Sequence, residues 1–169
     1  CLRQLGRSDD ERLDDAISSS LASDAPTLRA EARDQTARRD PAEGLTLYLD
    51  AMSAGTTYER QRAIAGLSKL DDPRASQRIR GLAAGLLGVG GSTSPIAVEI
   101  LEATLRSGDP EIAAIGRDWN DRAMDAASEW SIALEGGDPE AGALVARYHP
   151  GAQCLRCHAI DGRGGDAGP

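Results

Sequence analysis

The chain has 169 residues, a formal charge of -8 at pH 7 and a charged fraction of 27%, values that are typical of a folded protein rather than a disordered one. The negative charge would repel phosphate backbones, so nucleic acid is a poor candidate partner. The longest apolar run, Leu82 to Val89, is far too short to cross a bilayer, and no transmembrane segment is predicted. Phe is absent whereas Ala and Leu are plentiful, which favours helices.

The ends of the sequence indicate a fragment of a longer protein. The chain opens on Cys1 rather than on an initiator Met, and it stops at Pro169 within a glycine-rich loop. Any export signal would then lie upstream of Cys1, to which we assign no role.

Capping signals and apolar spacing predict a series of helices along the chain. Ser8 followed by Glu11 fits a capping box, and a helix is expected from there to about Ser23. The arginine-rich segment 28–39, opened by Asp24 and Pro26, has only a weak apolar face. The next predicted helix has the clearest amphipathic face in the chain, formed by Leu45, Tyr48, Leu49 and Met52.

Further helix starts are marked by short polar residues, several of them before proline. Thr56 with Glu59 fits a second capping box, and Ser94 precedes Pro95. Aspartate-proline pairs occur at Asp40-Pro41, Asp72-Pro73, Asp109-Pro110 and Asp138-Pro139. A last helix is expected over 140–148, and no segment has the alternation of a strand.

The aspartate-proline pairs recur at intervals of 29 to 37 residues, which is a helical-repeat period. Helix pairs of this length bury their apolar faces by stacking into a solenoid. We therefore predict an all-α chain with HEAT-like repeats over residues 1–137 and a second region over 138–169. An irregular helical bundle with similar caps is the alternative for the first region.

The second region contains the chemistry. Cys154 and Cys157 are three positions apart, and His158 follows directly. Two thiols at this spacing can form thioethers with the two vinyl groups of one porphyrin, and the adjacent histidine is then placed under the iron. The pattern predicts attachment of haem c at Cys154 and Cys157, with His158 as the axial ligand to iron.

Three other interpretations of this pattern stay open. A thioredoxin-like redox pair would need a strand before the motif and a helix after it, whereas a helix and a glycine-rich loop are expected here. Zinc could be bound by Cys154, Cys157, His158 and His149, although no second cysteine pair exists. The motif could also be unused, in which case the chain would be a helical-repeat module for protein interaction.

Three segments, 134–142, 149–158 and 162–169, resemble the haem-binding region of large planctomycete and verrucomicrobial proteins. In that family a β-propeller similar to sugar dehydrogenases is followed by HEAT-like helices and a C-terminal cytochrome c domain. The resemblance implies that residues 138–169 are the truncated start of such a domain. It also places Leu144, Val145 and Tyr148 where the family usually has a phenylalanine near the haem.

The resemblance further implies that Pro169 stands where a backbone carbonyl orients the proximal imidazole. The expected function is one-electron transfer without catalysis by this fragment, with electrons accepted from a linked dehydrogenase domain or another redox partner protein. Covalent haem attachment implies an extracytoplasmic location. Met52 and Met124 are expected to be packing residues rather than iron ligands, and His149 a surface or capping residue.

Overall fold

A computed structural model describes residues 2–8, 10–87, 94–123, 139–149, 151 and 153–168. Most of these residues are helical, which confirms the predicted all-α class. The chain divides into two compact units, Cys1–Gly136 and Gly137–Pro169. Among the described helices, none combines the length and the apolar character needed to span a membrane.

The described part of the first unit consists of eight α-helices. They are α1 (Leu2–Ser8), α2 (Leu13–Leu21), α3 (Pro26–Arg39), α4 (Pro41–Ala54), α5 (Thr57–Leu67), α6 (Pro73–Leu87), α7 (Ala97–Leu105) and α8 (Pro110–Ala123). The described part of the second unit contains α9 (Pro139–Tyr148), a single 3-10 turn (Cys154–Arg156) and two short strands, β1 (Ala159–Ile160) and β2 (Arg163–Gly164).

Aspartate before proline starts helices as predicted. One oxygen of Asp40 accepts hydrogen bonds from the backbone N–H groups of Ala42 and Glu43, at 2.9 and 3.0 Å. Asp72 and Asp109 each accept the backbone N–H two residues on, at 2.8 and 2.9 Å. These carboxylates satisfy donors that the first turn of a helix leaves without a partner. The fourth aspartate, Asp138, lies outside the described residues.

The two predicted capping boxes have different outcomes. At α5 the box is confirmed, because the Thr56 hydroxyl accepts the Glu59 N–H while the Glu59 carboxylate accepts the Thr56 N–H. The box at Ser8 is wrong, since Ser8 is the last residue of α1 and α2 begins only at Leu13. Asp10 instead accepts the backbone N–H of Arg12 at 3.0 Å.

The core of the first unit consists of small and branched aliphatic side chains with few aromatics. Its largest fully buried apolar side chains are Leu45, Ile64, Leu67, Ile100 and Ile112. Met52 is buried in the same cluster, which confirms its expected packing role. Met124 lies outside the described residues.

Helix packing in the first unit follows the order of the chain. Each helix contacts the next along the sequence from α1 to α8, and α1, α3, α5 and α7 also contact one another in succession. Helix α6 packs on α8 in the same way. One buried cluster draws on α3 to α8, and a separate, smaller one at the N-terminal end is formed by Leu2, Leu13, Ile17 and Ala32.

Candidate cofactor-attachment site

The turn after α9 leads the chain into the cysteine motif. The backbone N–H of His149 donates to the Val145 carbonyl at 3.0 Å and thereby extends the hydrogen bonding of α9 by one residue. The imidazole Nδ1 of His149 accepts the Gly151 N–H at 3.2 Å. His149 is exposed, as expected for a surface residue, and this bond closes the turn that follows α9.

The 3-10 turn aligns the two thiols. The N–H groups of Cys157 and His158 both donate to the Cys154 carbonyl, at 3.3 and 3.0 Å. Because a 3-10 helix has three residues per turn, residues i and i+3 lie on the same side of it. Cys154, which is half-buried, and Cys157, which is exposed, therefore share one face, and both are free thiols. The two predicted attachment residues thus lie at the two ends of one hydrogen-bonded turn, with His158 directly after them.

A short hairpin follows the motif, and the sequence analysis did not predict it. Ala159 pairs with Gly164 and Ile160 with Arg163 in antiparallel register. The two residues between the strands, Asp161 and Gly162, have φ angles of 52° and 73°. Positive φ at both central positions is the geometry that favours Asp-Gly in two-residue hairpins. That dipeptide was the available signal, but strands of two residues are too short to show alternation.

After the hairpin, the glycine strap (residues 164–168) returns against the motif backbone. Gly165 N–H donates to the Leu155 carbonyl at 2.9 Å, and Gly168 N–H donates to the Cys157 carbonyl at 2.6 Å. A side chain on Gly164 would collide with the His158 carbonyl, and one on Gly165 with the Arg156 carbonyl. The strap can lie this close to the motif only because its glycines have no Cβ atom.

No residue of the second unit is buried among those whose burial the structure describes. Its larger apolar side chains are exposed instead: Leu144 by 59%, Val145 by 53%, Tyr148 by 74% and Ile160 by 39%. Leu144 and Tyr148 are four positions apart and so lie on one face of α9, with Val145 beside them. The unit therefore exposes apolar surface beside a pair of aligned thiols.

Two other predictions for the site concern Pro169 and a zinc ion. Pro169, expected to orient the imidazole, lies outside the described residues. Among the residues that the structure describes, no three His, Cys, Asp or Glu side chains form a group that could hold a metal ion. The zinc set of His149, Cys154, Cys157 and His158 is accordingly not assembled, and the His149 imidazole is engaged by Gly151.

Comparisons with known proteins give no match. No protein-family model matches the chain, and neither the curated proteins nor the solved structures contain a similar one.

Proposed function

We propose that residues 138–169 hold one covalently attached haem c for one-electron transfer. The observation that carries the proposal is that two free thiols flank one 3-10 turn in a unit that also has an exposed apolar helix face. In this role Cys154 and Cys157 would hold the porphyrin and His158 would bind its iron.

The residues present fit such a group. Each thiol would add its sulfur and its hydrogen across one vinyl double bond, so two thioethers would form without an external oxidant. A ring nitrogen of His158 would supply the lone pair that binds the metal. When bound, the haem supplies an iron centre that cycles between the ferrous and ferric states. The chain requires no nucleophile or general base for that purpose.

The exposed apolar side chains fit the same interpretation. A unit with no buried residue among those whose burial is described has little hydrophobic stabilisation of its own. Small domains that lack a sufficient core usually depend on a bound group for stability. The face formed by Leu144, Val145 and Tyr148 would gain an apolar neighbour in the porphyrin. Shielding this face from water would also stabilise the neutral, reduced side of the iron couple.

We propose further that the first unit is a HEAT-like solenoid that acts as a spacer or docking arm. The successive packing of α1, α3, α5 and α7 supports this, because stacked repeats place every second helix in one layer. The resemblance suggests that electrons come from a linked dehydrogenase domain or from a separate redox partner, and covalent haem suggests an extracytoplasmic location.

Export of the chain through a periplasm with haem-attachment machinery tests the proposal. We expect the wild-type protein to keep its red colour in denaturing electrophoresis, because the cofactor is covalently bound. The Cys154→Ala, Cys157→Ala double variant should be colourless. A wild-type protein that is colourless would contradict the proposal and favour the protein-interaction module.

A matched pair of histidine variants tests the ligand assignment. His158→Ala should lose the absorption bands of an iron with axial histidine, whereas His149→Ala should keep them, since His149 caps the turn after α9. Equal spectra for the two variants would contradict the role of His158.

A further inference from the structure

Gly168 lies against the imidazole of His158. A Cβ atom built on Gly168 would be 2.7 Å from both Nδ1 and Cε1 of the ring and 2.9 Å from the Cys157 carbonyl oxygen. Carbon atoms in favourable contact are about 3.5 to 4.0 Å apart, so even one methyl group cannot be placed there without movement. The ring therefore occupies the space that a side chain at position 168 would need.

The backbone at this position cannot easily retreat from the ring. Gly168 N–H donates to the Cys157 carbonyl at 2.6 Å, and Gly165 N–H donates to the Leu155 carbonyl at 2.9 Å. Both acceptors belong to the turn that carries the cysteines. A Cβ at position 168 would press on both the imidazole and the Cys157 carbonyl. Because the strap is tied to that turn at two points, the imidazole, which belongs to a side chain, moves more easily than the backbone carbonyl.

The other strap glycines make a different contact. A Cβ on Gly164 or Gly165 would meet backbone carbonyls and not the ring, and Gly164 also has a φ angle of +126°, which few other residues adopt. Within the strap, all of which the structure describes, Gly168 alone would place a Cβ against a histidine side chain.

We propose that Gly168 is a positioning residue that holds the His158 imidazole in the orientation needed to bind iron. This inference depends on the proposed function, since it concerns the histidine assigned as the haem ligand. Groups that orient a ligating histidine affect metal binding nearly as much as the ligand itself, and their loss typically costs about 10- to 100-fold in affinity.

Three glycine variants of the exported, haem-loaded chain separate this role from general stability. The variants are titrated with acid, and the spectral change that marks loss of the imidazole from iron is followed. In Gly168→Ala we expect the midpoint of this change about one pH unit or more above that of wild type, which corresponds to at least about tenfold weaker binding of the imidazole. In Gly165→Ala the new Cβ meets backbone only. We expect this variant to have a lower melting temperature but the same spectral transition as wild type. Gly142→Ala, on α9 with open space around the new Cβ, should change neither.

An NMR experiment on the wild-type chain tests the same contact without a substitution. In ferrous protein, kept diamagnetic with carbon monoxide, a nuclear Overhauser effect is expected between the Gly168 Hα protons and the His158 Hε1 proton. Its absence would overturn the inference, as would a Gly168→Ala transition equal to that of wild type or of Gly165→Ala. A wild-type chain that attaches no haem would instead overturn the proposed function, and the inference with it.

Discussion

Glu59 is a buried carboxylate with several partners in the first unit. Arg29 donates to both of its oxygens, each at 2.8 Å, and Arg33 donates to one at 2.7 Å. Thr56 adds its backbone N–H at 3.0 Å. The Arg29 hydrogen bonds, followed by those from Thr56 and Arg33, outweigh the effect of burial and lower the pKa of Glu59 well below its usual range. Glu59 thus caps α5 and links it to α3.

Glu59→Gln should lower the free energy of unfolding by about 3 kcal/mol near neutral pH, because two arginines lose their buried counter-charge. The stabilisation from Glu59 is complete above the unfolded-state pKa of about 4.3 and is lost as pH falls toward the lower folded-state pKa. Urea unfolding at several pH values should therefore show the difference from wild type shrinking below about pH 5. A difference independent of pH would contradict this account.

Asp14→Asn is a matched control for Glu59→Gln. Asp14 pairs with Arg39 on the surface, where its side chain is 73% exposed. Exposed ion pairs contribute about 0 to 1 kcal/mol, so this substitution should change the free energy of unfolding much less.

At the scale of the elements, α5 packs closely on α4. A Cβ on Gly66 would lie 2.6 Å from two ring carbons of Tyr48, whose hydroxyl donates to Asp34 at 2.9 Å. Gly66→Ala should therefore lower the free energy of unfolding by about 1 to 3 kcal/mol through overpacking. Gly81→Ala, in α6 with nothing near the new Cβ, should be neutral or stabilising by up to about 1 kcal/mol. Thermal melts of both variants test this, and equal melting temperatures would contradict the packing of α5 on Tyr48.

Local signals predicted most of the helices. Asp40, Asp72 and Asp109 mark helix starts because an aspartate before proline satisfies the first N–H groups of a helix within a few residues of itself. Ser8 followed by Glu11 carried the same signal, but the chain ends α1 at Ser8 instead. Here the packing of α1 on α2 and α3 outweighs the local preference.

Contacts between distant residues could not be predicted from the sequence. Arg29 and Glu59 are thirty residues apart, and only the packing of α3 on α5 brings them together. At the candidate site, the spacing of Cys154, Cys157 and His158 was visible, whereas the contact of Gly168 with the imidazole depends on how the strap returns over the turn. The hairpin at Asp161 was missed because its strands are too short for a periodic pattern.

At the scale of the whole molecule, the two units differ in how much apolar side-chain surface they bury. The first has two buried apolar clusters, whereas the second has no buried residue among those whose burial the structure describes. A unit of this kind should open readily when the cofactor is absent.

Limited trypsin digestion tests this difference. In the colourless Cys154→Ala, Cys157→Ala variant we expect cleavage after Arg147, Arg156 and Arg163, all of which are exposed, before cleavage within the first unit. The haem-loaded protein should resist cleavage at these sites several-fold longer. Equal digestion rates for the two forms would contradict the view that the cofactor stabilises the second unit.

The most direct test of the central claim is a pyridine haemochrome spectrum combined with the intact mass of the exported wild-type chain. The account predicts a c-type spectrum and a mass increased by one haem, because Cys154 and Cys157 each form one thioether. A protein of unmodified mass with no visible absorbance would contradict it.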